Sequence, residues 1–110
     1  MPYIDKKRRE KLDGAILFLR SALENQSSSE SNKNISCGLS PEQILEISGD
    51  LNYCISRICA GLIGSPSYKK IAVVTGVLEN VNQELYRRLA STYEDEKIES
   101  NGDIPEYKNY

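Results

Sequence analysis

Apolar residues recur along this chain at helical spacing, in three stretches separated by polar or turn-forming segments. In the first, Leu12, Ile16, Leu19 and Leu23 step by four, three and four, and Ala15, Phe18 and Ala22 widen the stripe. That spacing predicts an amphipathic helix with one core-sized face. Asp5 is placed to cap its start, behind an extended Met1-Pro2-Tyr3-Ile4 arm, and the pattern ends near Asn25. Gly14 weakens the middle of this helix by about 1 kcal/mol relative to alanine.

The second stretch opens at "SPEQILEIS". Ser40, Pro41 and Gln43 match a capping box with proline at the first helical position. Gly49 is expected to interrupt the helix. Beyond it Leu51, Ile55, Ile58 and Leu62 share a face with Cys54 beside them, and Gly64-Ser65-Pro66 reads as a turn. The third stretch starts at Ser67. Ile71, Val74, Leu78, Val81, Leu85 and Leu89 follow near-heptad spacing, and Val73 and Val77 add a second strip. A helix apolar on two sides commonly packs on its own domain with one and on a partner with the other. The helical pattern continues to about Ser100, where Asn101-Gly102 supplies a stop.

These stretches predict an all-α fold over residues 1–110: a small bundle of three main helices, the second interrupted, in a single domain. Residues 27–39 form a polar, Ser/Asn-rich loop, expected to be flexible because it has little apolar surface to bury. The tail, residues 104–110, is expected to be loose, with Ile104, Tyr107 and Tyr110 able to dock. A chain of 110 residues buries a modest fraction of its surface, so a homo-oligomer, a dimer or tetramer, is expected.

Composition narrows the chemistry. There is no histidine, which removes Ser-His-Asp and Cys-His catalysis and every His-containing metal site. Cys37, Cys54 and Cys59 lack CxxC spacing and read as reduced structural thiols, which places the chain in a cytoplasm. The start, "MPYIDKKRREKLDG", has no apolar core and is not read as a signal peptide. No run approaches the ~20 apolar residues that span a bilayer. A net charge of −2 argues against general DNA binding. No P-loop, EF-hand or GxSxG motif is present, so neither an enzyme nor a cofactor or metal is expected.

A small anionic ligand remains open. Tyr53 and Arg57 are an i,i+4 pair on one helix face. Tyr86 precedes Arg87 and Arg88, whose directions differ by roughly 100° on an α-helix, so that one can pair internally while the other reaches outward. Arginine suits phosphate because its planar fork donates paired hydrogen bonds. A base stacked on a tyrosine gains about 1–3 kcal/mol. Tyr68, Lys69 and Lys70 open the third helix, where backbone N–H groups favour anions. Glu94, Asp95 or Asp103 can accept from a guanine edge. The bland reading runs alongside. Seven tyrosines among eight aromatics also suit the wet edges of a bundle. Arg87 and Arg88 also suit ion pairs with Glu84 or Glu94, and the acidic run after Tyr93 suits a solvated helix end.

The segments "MPYI", "GDLNY" (Gly49–Tyr53), "GVLE" (Gly76–Glu79), "ELYRR" (Glu84–Arg88) and "YEDEKIESNGD" (Tyr93–Asp103) together resemble a family of small, uncharacterised bacteriophage proteins. More loosely, the chain is similar to phage immune-evasion sponges, small oligomers that sequester cyclic nucleotide signals of anti-phage systems such as CBASS without cleaving them. That resemblance implies a cytoplasmic protein of an infected bacterial host with a small nucleotide ligand. Tyr53, Arg57, Tyr86, Arg87, Arg88 and Asp103 are the expected contacts, with Tyr3 closing a pocket from a neighbouring subunit. The alternative is an accessory or inhibitor module that docks on a host protein through its helical surface.

Overall fold

The computed structural model describes residues 3–27 and 38–108. Every regular element among them is helical. Most of the Ser/Asn-rich loop, including Cys37, and Tyr110 of the tail lie outside the described residues. The chain divides into two compact units, one of Tyr3–Pro66 and one running from Ser67 to the C-terminal end.

In the first unit α1 spans Lys6–Asn25. The Asp5 carboxylate accepts the Arg8 N–H at 2.9 Å, which satisfies one of the donors a helix start leaves open. Arg9 Nε donates to the Ile4 carbonyl at 2.7 Å and ties the end of the N-terminal arm to the helix. The second stretch forms α2, Pro41–Glu46, and α3, Ser48–Ile63. The capping box is complete. Gln43 N–H reaches Ser40 Oγ at 3.2 Å, and Ser40 N–H reaches Gln43 Oε1 at 2.9 Å. Gln43 is buried, and this exchange satisfies its side-chain oxygen.

The break falls at Ile47, two residues before the expected Gly49. Ile47 takes φ −97° and ψ 8°, outside helical geometry, and the Ser48 hydroxyl donates to the Leu45 carbonyl at 2.8 Å. Ile47 is the buried hydrophobic side chain of this corner. A Cβ at Gly49 meets nothing within 4 Å, so the corner does not require that glycine. It is set by a buried isoleucine and a serine back-bond, both weaker signals in a sequence than glycine. Gly64 ends α3 at φ 59°, with its N–H on the Ala60 carbonyl at 3.0 Å.

In the second unit α4 spans Tyr68–Leu85, capped by Ser67 Oγ on the Lys70 N–H at 3.2 Å. It runs without a break into a π turn, Tyr86–Ala90, and then into α5, Ser91–Asn101. In the π turn the Ser91 N–H bonds the Tyr86 carbonyl, five residues back instead of four. The sequence spacing predicts one continuous helix here and gives no sign of the wider turn. Gly102 stops α5 at φ 84° and ψ 152°, and within the tail Pro105–Tyr107 make one 3-10 turn.

Neither unit closes a core of its own. Among the described residues Ile47 is the buried hydrophobic side chain, while the apolar stripes of α1, α3 and α4 are largely exposed.

Candidate functional site

The candidate residues divide between the two units. In the first, Tyr53 and Arg57 sit one turn apart on α3. Arg57 Nη1 donates to the Tyr53 hydroxyl at 3.1 Å, and its guanidinium carbon lies 5.7 Å from the ring centroid, within cation–π range. The bond to Tyr53 pushes the Arg57 pKa above its ordinary value, so this guanidinium is charged at every working pH. The pair borders a shallow pocket of about 340 Å³, floored by Leu19 of α1 with Cys54 and Ile58 of α3. Tyr53 is 59% exposed. Tyr3, the third candidate in this unit, is exposed and does not line that pocket.

In the second unit, Arg87 and Arg88 converge on one carboxylate. Glu84 Oε1 accepts Arg87 Nη2 at 2.7 Å and pairs with Arg88 Nε at 3.3 Å. Of the two expectations, one arginine paired and one outward or both paired with Glu84, the structure has the second: positions three and four residues on both flank Glu84 on a helix. Exposed pairs of this kind contribute about 0.2–1 kcal/mol, so they are easily exchanged for another anion.

Tyr86 turns elsewhere. Its hydroxyl donates to Glu94 Oε2 at 2.9 Å and Oε1 at 3.2 Å, across the π turn. That bond, with the carboxylate charge behind it, raises the Tyr86 pKa above the ordinary 10.0. Asp103 is half-buried, and its Oδ1 accepts the Ile104 N–H at 2.8 Å. It lines a cleft of about 370 Å³ with Tyr93, Glu94, Lys97, Asn101 and Tyr107. Lys97 Nζ stands 5.4 Å from the Tyr93 ring centroid.

The structure therefore joins Tyr53 with Arg57, Arg87 with Arg88, and Glu94 with Asp103 around one cleft. It also presents one pairing and one groove that the sequence does not single out. Tyr93 and Lys97 repeat the i,i+4 aromatic–cation pairing of Tyr53 and Arg57, a signal present in the sequence but masked by the acidic run around it. Along α4 and the π turn, Val77, Val81, Leu85 and Leu89 floor a groove of about 450 Å³, rimmed by Asn80, Glu84 and Arg88.

Among the described residues, no three cysteine, aspartate or glutamate side chains gather where they could share a metal ion. No helix is long and apolar enough to cross a membrane. Compared with known proteins, the chain matches over residues 1–104 the model of a family described as a domain of unknown function (DUF6899). No curated protein and no solved structure matches it.

Proposed function

We propose a function on the premise that the chain belongs to the DUF6899 family: it binds a nucleotide second messenger and holds it without cleaving it. The observation that carries this reading is the Tyr53–Arg57 pair over its apolar pocket. A purine or pyrimidine ring stacks on an exposed phenol. A guanidinium has five N–H donors; the bond to Tyr53 uses one and leaves a fork for phosphate. Leu19 and Ile58 exclude water beneath the base. At about 340 Å³ the pocket is at the small end of the ligand range, enough for one nucleotide unit and not for a whole cyclic dinucleotide. The second unit of such a ligand needs another binding surface, which a neighbouring copy in a homo-oligomer supplies. On this reading the protein serves a bacteriophage in the cytoplasm of its host, against immunity signalled by cyclic nucleotides.

The test is retention. The purified protein is incubated with 3′,3′-cyclic GMP–AMP, freed of unbound ligand, denatured, and the supernatant analysed by mass spectrometry. Intact ligand near one equivalent per site is expected. Y53A and R57A each reduce retention at least tenfold, with helicity by circular dichroism unchanged. A cleaved product assigns an enzyme instead. No retention across a panel of cyclic and linear nucleotides overturns the proposal.

A second reading rests on a different surface. Phe18 of α1 is 79% exposed, beside the exposed Leu17. Large apolar side chains of this kind anchor protein–protein contacts, so the alternative is an inhibitor module docked on a host protein. A stoichiometric protein captured from bacterial lysate, lost in F18D, with no nucleotide retained, favours it.

A further inference from the structure

Four apolar side chains at i, i+4 spacing do not make a straight row on an α-helix. Each step of four residues overshoots a full turn by roughly 40°, so a row starting at Val77 winds around the helix and leaves its face. The π turn counters this. Its wider turn rotates less per residue, which swings Leu89 back beneath Val81 and Leu85 and lets all of them floor one groove. A π turn placed where an apolar row is brought back into line is a feature of the surface it straightens.

We propose that this row is the seam of an antiparallel, two-fold pair with a second copy of the chain. The face is complementary to itself. Val81 and Leu89 lie symmetrically about Leu85, and Glu84 and Arg88 lie symmetrically about Tyr86. The two centres are one residue apart, about 1.5 Å along the axis. One two-fold axis therefore sets Leu85 against its own mate, Val81 against the mate's Leu89, and Arg88 beside the mate's Glu84. Glu84 and Arg88 already pair at 3.3 Å within the chain, so each exchanges one partner for an identical one and no charge is buried alone. The occupant is a second copy because the face matches itself in apolar spacing and in charge, and the segment that bears it, Ser67–Lys108, has no buried hydrophobic side chain among its described residues. The inference rests on the reading of the protein as a homo-oligomer and names the surface that builds it. It also removes Arg88 from the ligand and leaves the Tyr53–Arg57 pocket to hold it.

The experiment is reciprocal charge reversal, read by light scattering after size exclusion and by circular dichroism. R88E carries two acids at each seam edge and E84R carries two bases, so each repels its own copies. Each variant is expected at half the wild-type mass or less, or partly unfolded. An equal mixture restores wild-type mass and helicity, because acid meets base across the axis; pairing within one helix cannot be rescued by mixing. A wild-type protein of single-chain mass overturns the seam. So do variants that keep wild-type mass, and a mixture that does not recover. Nucleotide retention by the wild type is scored separately. A monomer that retains ligand sinks the seam alone, and an oligomer that retains none sinks the functional reading alone.

Discussion

Tyr86 differs from an ordinary surface tyrosine in the company its hydroxyl keeps. Its hydroxyl donates to the Glu94 carboxylate, which disfavours the phenolate and raises its pKa above 10.0. The sign follows directly. A pKa raised on folding means that the contact is fully present below the unfolded value and is lost as pH climbs through the higher folded value. Across the neutral range Tyr86 therefore keeps α5 tied to the π turn, and the tie loosens only in strong alkali. E94Q removes the charge that holds the proton. We expect the Tyr86 ¹³Cζ resonance, followed by NMR in tyrosine-labelled protein, to titrate at lower pH in E94Q than in wild type. An unchanged or higher midpoint contradicts the assignment. The arginine pair belongs to the same scale. Arg87 and Arg88 stand three and four residues beyond Glu84, the two spacings that flank it on a helix, so both reach its carboxylate and the pairing was legible in the letters.

At the level of elements, two glycines make opposite predictions. Gly76 lies inside α4, and a Cβ there meets nothing within 4 Å. G76A should raise stability by about 0.5–1 kcal/mol through reduced unfolded-state freedom. Gly102 ends α5 at φ 84° and ψ 152°, a conformation open to almost no other residue, so G102A should cost about 1–3 kcal/mol. Thermal melts of the two variants shift in opposite directions, and a shift of the same sign in both refutes the geometry at one of them. The helices were largely legible in the sequence because their ends carry local chemistry. Asp5, the Ser40–Gln43 box with Pro41, Ser67, Gly64 and Gly102 each act within a few residues of themselves. The break at Ile47 and the π turn were not legible. The first depends on burial of one side chain and the second on a five-residue hydrogen bond, and neither has a residue type of its own. The Tyr53–Arg57 contact was legible for the same reason as the caps, being an i,i+4 pair. The Asp103 cleft was half legible, since the acids and the docking candidate Tyr107 stood out while Tyr93 and Lys97 did not.

On the scale of the whole molecule, the dominant fact is the scarcity of buried apolar surface in either unit. Burial contributes roughly 25 cal/mol per Å² and is the main favourable term in folding. Neither unit gains much of it by itself. Where copies pair along the seam proposed above, folding is coupled to association and stability depends on protein concentration. Melting temperature should rise measurably when the chain is concentrated from 1 to 100 μM. A melting temperature independent of concentration indicates a chain that is stable by itself and places its apolar stripes against one another.

A π turn is an α-helix with one surplus residue. Ser91 sits over Tyr86 where the fourth residue on would sit in a regular helix, so deleting one position from Tyr86–Ala90 returns the segment to regular winding and leaves everything beyond it facing as before. The same deletion inside α4, where no residue is surplus, rotates the Asp103 cleft, Glu94 and the aromatic rings of α5 by about 100°. One codon lost in the π turn is absorbed, and one lost a few residues earlier turns the two faces of this helical rod away from each other.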